Sequence, residues 1–264
     1  MWNSMSQTGL NLHLNALIEK YRSQFVENEQ LFLGRVFSAG VAKYLERLEA
    51  IDFVNKEQVL DAGCGFGQWA LALAASNGQV DACDISLLRS SFLRDLAGSL
   101  GITNLNAHQT ALDRLPFASG TFDAVFSYSV IPLVPWREVL AEFARIIKPG
   151  GTLYLNANDI GWYVFLWETE HNRAGEYDPR ALAASAFADT LRYDRLAQFE
   201  SGMNLIIQPA ALENELKTIG FSDIRIAAEG KLHTNLSASP PTPFLIGEYG
   251  GLVGVYEVLA TKQN

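Results

Sequence analysis

The sequence predicts a doubly wound α/β fold, a mostly parallel sheet with helices on both faces, and two observations carry that prediction. From residue 57 onward, short apolar runs alternate with stretches of helical periodicity, the signature of strands joined by crossover helices. One such run, Val59-Leu60-Asp61-Ala62, passes directly into Gly63-Cys64-Gly65-Phe66-Gly67 and then into an Ala- and Leu-rich segment. That succession reads as a strand, a tight turn and a helix, with a ligand seated on bare backbone at the turn.

The elements follow in order. Residues 10 to 50 read as helical, with Leu10, Leu14, Leu17, Ile18 and Tyr21 on one face by steps of three and four. They precede the glycine-turn strand and lie outside its sheet, so the segment 1–56 either packs on the core or covers the ligand as a lid. At the turn, spacing discriminates between ligands. A dinucleotide fingerprint places glycines at its first, third and sixth positions, and the sixth counted from Gly63 is Gln68. A nucleotide-dependent oxidoreductase is disfavoured on that ground.

The helix Gln68 to Ser76 stops at Asn77-Gly78. The next strand, Gln79 to Ser86, carries Asp84, 17 residues beyond Gly67. A carboxylate at the tip of a second strand can accept hydrogen bonds from both hydroxyls of a ribose, or it can cap the following helix. A third strand is expected at Asn104 to His108 and a fourth at Phe122 to Ser127, with Tyr128 at the carboxyl edge where open α/β sheets bind ligands. The helix Trp136 to Ile147 leads into Lys148-Pro149-Gly150-Gly151, where Pro149 should stop the helix and the glycines permit reversal into a fifth strand.

Beyond that strand, Asn158 to Gln208 is far longer than an ordinary connection and is expected to form a helical cap. Its Trp162, Tyr163, Trp167, Glu168, Glu170, His171, Asn172, Arg173, Tyr177 and Tyr193 set aromatics beside hydrogen-bonding groups, a mixture suited to a small polar ligand with flat faces. A helix at Pro209 to Gly220, a strand at Phe221 to Ala227 and a last strand at Gly251 to Ala260 complete the chain. The proline-bearing loop Lys231 to Gly250 either lines the cleft or serves as an oligomer contact.

Composition bounds the function. The 264 residues are 48% hydrophobic, enough for one large domain with its own core. Twenty basic against 29 acidic side chains give a formal charge of -9 with no basic cluster, which disfavours a nucleic-acid partner. The longest apolar runs, such as Trp69 to Ala75, are too short to cross a bilayer. Met1 to Gly9 lacks the pattern of a secretory leader, so a cytoplasmic protein is expected. Cys64 and Cys83 read as small buried thiols, and no metal site is expected.

The pattern Asp61-x-Gly63-x-Gly65-x-Gly67 resembles the first motif of the class I S-adenosylmethionine-dependent methyltransferases. Leu115-Pro116-Phe117, then Phe122-Asp123 with a hydrophobic strand, and Leu140 to Gly151 ending in Pro-Gly-Gly are similar to that family's later motifs, in order and at fitting distances. The resemblance implies a Rossmann-like sheet of seven strands with the last inserted antiparallel. It also implies one domain: a cofactor-binding core at 57–157, the cap at 158–208 and the rest of the sheet at 209–264.

It implies S-adenosylmethionine as cofactor and S-adenosylhomocysteine as product. Asp61, Gly63, Cys64, Gly65 and Gly67 would hold the amino-acid end, and Arg35 is either a partner for its carboxylate through the planar fork or a solvated arginine. Asp84 would hold the ribose, Ile85 the adenine face, and Ser127 and Tyr128 the edge of the fourth strand. The family often carries an acid near Ala111. This chain has none there, so adenine recognition falls to backbone near Ala111 and Leu112, with Asp113 or Gln109 as side-chain candidates.

The expected reaction is methyl transfer to a small acceptor, a sugar, glycan precursor or phenolic metabolite, with O-methylation ahead of N- or C-methylation, by a monomer or homodimer. His171 is the candidate base, with Glu168 or Glu170 behind it and Tyr128 and Asp159 as positioning groups. The alternative is a cofactor-binding regulatory module without catalysis, suggested by Ala111.

Overall fold

A computed structural model of the chain describes residues 7–38 and 40–264. The leader reading of Met1 to Gly9 and the start of the 1–56 segment fall partly on residues 1–6, outside the described residues. The helical expectation over 10–50 resolves into three helices, α1 (Gln7–Tyr21), α2 (Glu27–Ser38) and α3 (Ala42–Ala50). The glycine-turn unit follows as β1 (Gln58–Ala62), α4 (Gln68–Ser76) and β2 (Gln79–Asp84), then α5 (Leu87–Ser99), β3 (Leu105–Gln109) and β4 (Phe122–Ser127). After α6 (Trp136–Ile146) come β5 (Ile147–Asn158), the cap helices α7 (Ile160–Thr169) and α8 (Pro179–Leu196), α9 (Pro209–Thr218) and β6 (Phe221–Ala228). A hairpin of β7 (Glu248–Tyr249) and β8 (Leu252–Val253) precedes β9 (Val255–Lys262).

Seven strands form one sheet in the order β3-β2-β1-β4-β5-β9-β6. Strands β1 to β5 run parallel, and β9 inserts antiparallel between β5 and β6, as the resemblance implied. The order reverses at β1, which pairs β2 on one side and β4 on the other, and this switch point opens a crevice beyond the carboxyl ends of the two strands.

Alternation along the strands supplies both layers. Val59, Ala124, Phe126 and Tyr154 face a core shared with α1 to α5, while Leu60, Val125, Leu153 and Leu155 face one shared with α6 and α9.

Two expected boundaries move. Helix α6 ends at Ile146, and Ile147 is already extended and paired with Phe122, so Pro149 lies inside β5. The register jumps from Phe122↔Ile147 to Ala124↔Thr152, which makes Lys148 to Gly151 a bulge rather than a helix-stopping turn. The last strand likewise begins at Val255 and not Gly251, because Leu252 and Val253 pair with β7 instead.

One buried ionic cluster ties α3 and the 231–250 loop to the sheet. Arg47 on α3 is 1% exposed and donates to Glu257 on β9, to Glu229 at 3.0 Å and to the Thr242 carbonyl at 2.8 Å. Tyr154 donates to Glu257 at 2.6 Å, and Tyr128 to Glu229 at 2.7 Å. The second oxygen of each carboxylate accepts main-chain N–H groups, Gly230 and Leu232 at Glu257, Phe244 and Leu245 at Glu229. One guanidinium thus serves two carboxylates, and burial pushes the Glu257 carboxyl up despite the arginine.

Arg47→Met should therefore cost about 3–5 kcal/mol of folding stability, since it leaves two carboxylates buried without their cation. The sign with pH follows from the raised carboxyl: stability is lost as pH rises from the unfolded value through the folded one. The variant's urea midpoint should lie closer to wild type near about pH 5 than near about pH 8. An equal deficit at both values would show that the cluster is not held by charge.

Candidate active site

Two of the turn glycines pack tightly, and one is open. Gly67 opens α4 with φ 90°, and a Cβ there would meet Leu93 Cδ1 at 2.2 Å, so its smallness serves packing. Gly65, with φ 55°, has no heavy atom within 4 Å of where a Cβ would stand. Only at Gly65 does the missing side chain leave clear space for a ligand against the main chain. The turn is anchored from β2: Gly63 and Cys64 donate to the Cys83 carbonyl at 2.8 and 2.9 Å, and Gly65 N–H donates to Asp84 Oδ2 at 3.0 Å. The other oxygen of Asp84 accepts the Ser86 N–H at 2.8 Å, so the carboxylate is fixed at the tip of β2.

Around this turn lies a cavity of about 1290 Å³. One half is lined by Gly63, Gly65, Asp84, Ile85 and the stretch Thr110 to Asp113, at the carboxyl ends of β1 to β3, and by Gln68 at the start of α4. Ile85 is 74% exposed, an apolar side chain left open on the cavity rim. The other half is aromatic: Phe32 and Tyr44 from the N-terminal helices, Trp69 from α4, Tyr128 just after β4 and Phe244 from the 231–250 loop. Phe244 stacks on Tyr44 at 5.2 Å and meets Trp69 edge-on at 5.5 Å, so three distant segments make one wall. His171, Asn172 and Tyr177 from the cap, with Arg35 on α2, complete the enclosure.

The structure thus gathers Arg35, Gly63, Gly65, Asp84, Ile85, Ala111, Leu112, Tyr128 and His171 around one cavity. It sets other expected site residues apart. Cys64 and Gly67 give the turn its shape but do not line the cavity, and burial pushes the Cys64 thiol up. Ser127 is fully buried and donates to the Ala62 carbonyl at 2.9 Å, a cross-strand tie between β4 and β1. Asp159 caps α7 by accepting the Ile160 N–H at 2.8 Å, which accounts for an acid at that position without chemistry.

Neither acid expected behind His171 stands there. Glu168 accepts from Tyr249 at 2.7 Å, and Glu170 pairs with Arg173 and Arg180. Gln109 turns to the Ile85 carbonyl, which leaves Asp113 as the side-chain candidate beside Ala111.

The sequence reading did not single out Gln68, Ser129 and Phe244 as site residues. Gln68 lines the cavity with a buried Oε1 that lacks a partner. Ser129, at φ 60°, is held in a left-handed conformation by its N–H bond to Asn156 Oδ1 at 2.6 Å. Beneath the turn, Asp61 is 1% exposed with Oδ2 unpartnered, and burial followed by the charge of Asp84 pushes its carboxyl up to about 8. His171 packs its ring against Phe165 at 5.1 Å and Trp162 at 6.2 Å, and burial followed by the charge of Arg35 holds its imidazole below the usual value.

Comparison with known proteins agrees with this geometry. Residues 59–151 match the model of a methyltransferase domain. A demethylmenaquinone methyltransferase of Mycolicibacterium vanbaalenii is 29% identical over 200 residues, which cover 72% of this chain and 80% of that protein. A ubiquinone/menaquinone biosynthesis C-methyltransferase of Syntrophotalea carbinolica is 30% identical over 128 residues, 46% of this chain and 53% of that one, so the match spans about half of that relative. The crystal structure of a putative S-adenosylmethionine-dependent methyltransferase from Listeria monocytogenes superposes with a TM-score of 0.57 at 18% identity, covering 85% of this chain and 100% of that one. That likeness establishes the shared fold.

Two substitutions separate shape from binding. Gly65→Ala meets no neighbour, so it should cost only the roughly 1–2 kcal/mol of a left-handed alanine while S-adenosylhomocysteine binding by titration calorimetry is lost. Unchanged affinity would show that the ligand does not approach Gly65. At Asp61, the folded carboxyl holds its proton up to about 8, whereas the unfolded one releases it near about 3.9. Wild-type stability should therefore fall as pH rises through that window. Glu257 contributes to the same fall, so Asp61→Asn should reduce but not abolish the drop in melting temperature between about pH 5 and pH 9, and a variant that keeps the full wild-type slope would assign the slope elsewhere.

Proposed function

Because this chain belongs to the class I S-adenosylmethionine-dependent methyltransferases, we propose that it methylates a flat, hydroxyl-bearing aromatic acceptor held between the aromatic wall and His171. The carrying observation is that one cavity brings a half-buried imidazole, held below its usual pKa, onto the same surface as Tyr44, Trp69, Tyr128 and Phe244. Its volume of about 1290 Å³ exceeds the ~300–1,000 Å³ that commonly takes a single small ligand, which leaves room for cofactor and acceptor together. Walls of this kind suit an aromatic ring better than a sugar.

The residues present fit the cofactor. Gly65 leaves an open place against the main chain, Gln68 offers an unpartnered buried acceptor, and Asp61 holds another beneath the turn. Gly63, Gly65 and Gln68 would hold its amino-acid end, Asp84 its ribose, and Ile85 with Ala111, Leu112 and Asp113 its adenine. When bound, the cofactor supplies a methyl group already activated on a sulfonium, so the protein has chiefly to position an electron pair in a water-poor cleft.

His171 frees that electron pair on the acceptor: its imidazole nitrogen takes the hydroxyl proton, and the electrons of the broken O–H bond stay on the acceptor oxygen. Burial favours its neutral form, which is the form able to accept a proton near pH 7. The ring of Tyr128 forms part of the wall, and its hydroxyl is committed to Glu229, which makes it a positioning residue and not a second base. Deprotonation places negative charge on the acceptor oxygen and on the ring carbons conjugated with it, so the same step prepares either atom. Attack through oxygen is the first reading. Attack through a ring carbon is the second, favoured by the C-methyltransferase name of the Syntrophotalea relative and by the quinone-type acceptor in the name of the Mycolicibacterium one.

Turnover of a panel of hydroxyaromatics with methyl-labelled cofactor tests the proposal, and carbon NMR of the product separates a methoxy from a ring methyl. No turnover across the panel with the cofactor demonstrably bound would remove the aromatic reading. His171→Ala should lower kcat by about 10²- to 10⁴-fold, the range of a positioned base, without altering S-adenosylhomocysteine affinity. Activity should fall as pH drops through the lowered histidine value, below the ordinary ~6.5; a limb at or above that value would assign the base elsewhere. Asp84→Ala should weaken S-adenosylhomocysteine binding about tenfold or more, through loss of charge-assisted hydrogen bonds.

A further inference from the structure

We propose that a second, smaller cleft beside the main cavity is a subsite for a carboxylate carried by the acceptor, recognised by Arg35. The inference rests on the methyl-transfer reading above and narrows its substrate class to hydroxyaromatics bearing an acid group. The cleft, about 230 Å³, lies between α2 and the turn after α7, and it is lined by Asn28, Leu31, Arg35, Asn172, Ala174 and Tyr177. Arg35, Asn172 and Tyr177 also line the main cavity, so the two spaces adjoin through those three side chains. The volume is below the ~300–1,000 Å³ usual for a whole ligand and fits a substituent.

Its chemistry is that of an anion site. The lining offers a guanidinium, two amides and a phenol hydroxyl, and the Glu27 carboxylate lies beside it against Gly175 without lining it. Among the described residues Arg35 forms no salt bridge, whereas Arg89, which lines the main cavity with it, pairs with Glu29, and Arg173 and Arg180 on the cap pair with Glu170. An arginine left without an acid while flanked by neutral donors can present its planar fork to a carboxylate. Arg35 also acts electrostatically on His171 and Tyr177, which places its charge within reach of the group proposed as base.

The source of that carboxylate is the acceptor and not the cofactor. Every residue lining the cleft comes from α2 or from 171–177, and none from the glycine turn, the end of β2 or 110–113. The cofactor's amino-acid end belongs at Gly63 to Gly65, so Arg35, which the sequence suggested for it, is here assigned to the other substrate.

The test compares 3,4-dihydroxybenzoate with its methyl ester as probes, by calorimetry in the presence of saturating S-adenosylhomocysteine. Wild type should bind the acid about tenfold or more tightly than the ester, and Arg35→Met should erase that preference while its S-adenosylhomocysteine affinity stays within about twofold of wild type. Arg35→Lys should recover part of it, because charge remains but the fork is gone. Equal binding of acid and ester, binding of neither, or a preference that survives Arg35→Met overturns the subsite. A loss of S-adenosylhomocysteine affinity in Arg35→Met with the preference intact returns Arg35 to the cofactor and overturns it as well. Failure of wild type to bind S-adenosylhomocysteine at all instead removes the methyl-transfer reading, and the subsite with it.

Discussion

The union of Arg47 with Glu229 and Glu257 is the interaction on which the shape of the site depends. A twisted parallel sheet provides a crevice at its switch point but no roof, and an open crevice leaves bound groups in water. Here the roof is built from α2, α3 and the 231–250 loop, segments far apart in the chain. The guanidinium reaches from α3 to β9, to the end of β6 and to the Thr242 carbonyl, so one buried side chain joins α3 and the loop to the sheet, while α2 is tied to α3 by the Tyr44 hydroxyl on the Val36 carbonyl at 2.5 Å. Such a cluster carries a large desolvation penalty, and it is stable only because nearly every oxygen and N–H in it finds a partner. Tyr154 and four main-chain N–H groups supply those partners.

The cluster reaches the site through Glu229. One of its oxygens accepts the Tyr128 hydroxyl and the other accepts the N–H groups of Phe244 and Leu245, so the wall residues just after β4 and on the loop are fixed by a single carboxylate. Phe244 then stacks on Tyr44, three residues before Arg47 on the same helix. Helix, loop and strand are therefore held in mutual register twice, once by charge beneath the wall and once by ring contact on its surface. Aromatic rings with few rotatable bonds keep such a wall in place at low entropic cost.

What the sequence disclosed and what it concealed follow from how each part is held. The turn at Gly63 to Gly67, the acid at Asp84 and the succession of strands were legible because local geometry dictates residue type: positive φ wants glycine, and a buried strand wants an apolar run. The roof was not legible. Arg47 lies 182 residues from Glu229 and 210 from Glu257, and nothing near any of them in the chain signals the pairing. Asp159, Glu168 and Glu170 misled for a related reason, since an acid that caps a helix, accepts from a tyrosine hydroxyl or pairs with a nearby arginine is indistinguishable in sequence from one that supports a base. Pro149 misled because a bulge uses the same Pro-Gly-Gly chemistry as a turn.

The same distinction separates the two halves of the cavity. On one side the ligand meets main chain and a few side chains at strand ends, and each of those positions tolerates few residues, so a motif survives that can be read without a structure. On the other side, the acceptor would meet side chains from four segments, Arg35 on α2, Tyr44 on α3, His171 on the cap and Phe244 on the loop. No backbone constraint prescribes any of them, and each could be exchanged without disturbing the sheet or the turn beneath. A fold arranged in this way keeps one cofactor while its acceptor changes, because the charged anchor of the roof lies below the wall, at Arg47 and Glu229, and stays in place when a ring that faces the acceptor is exchanged for another.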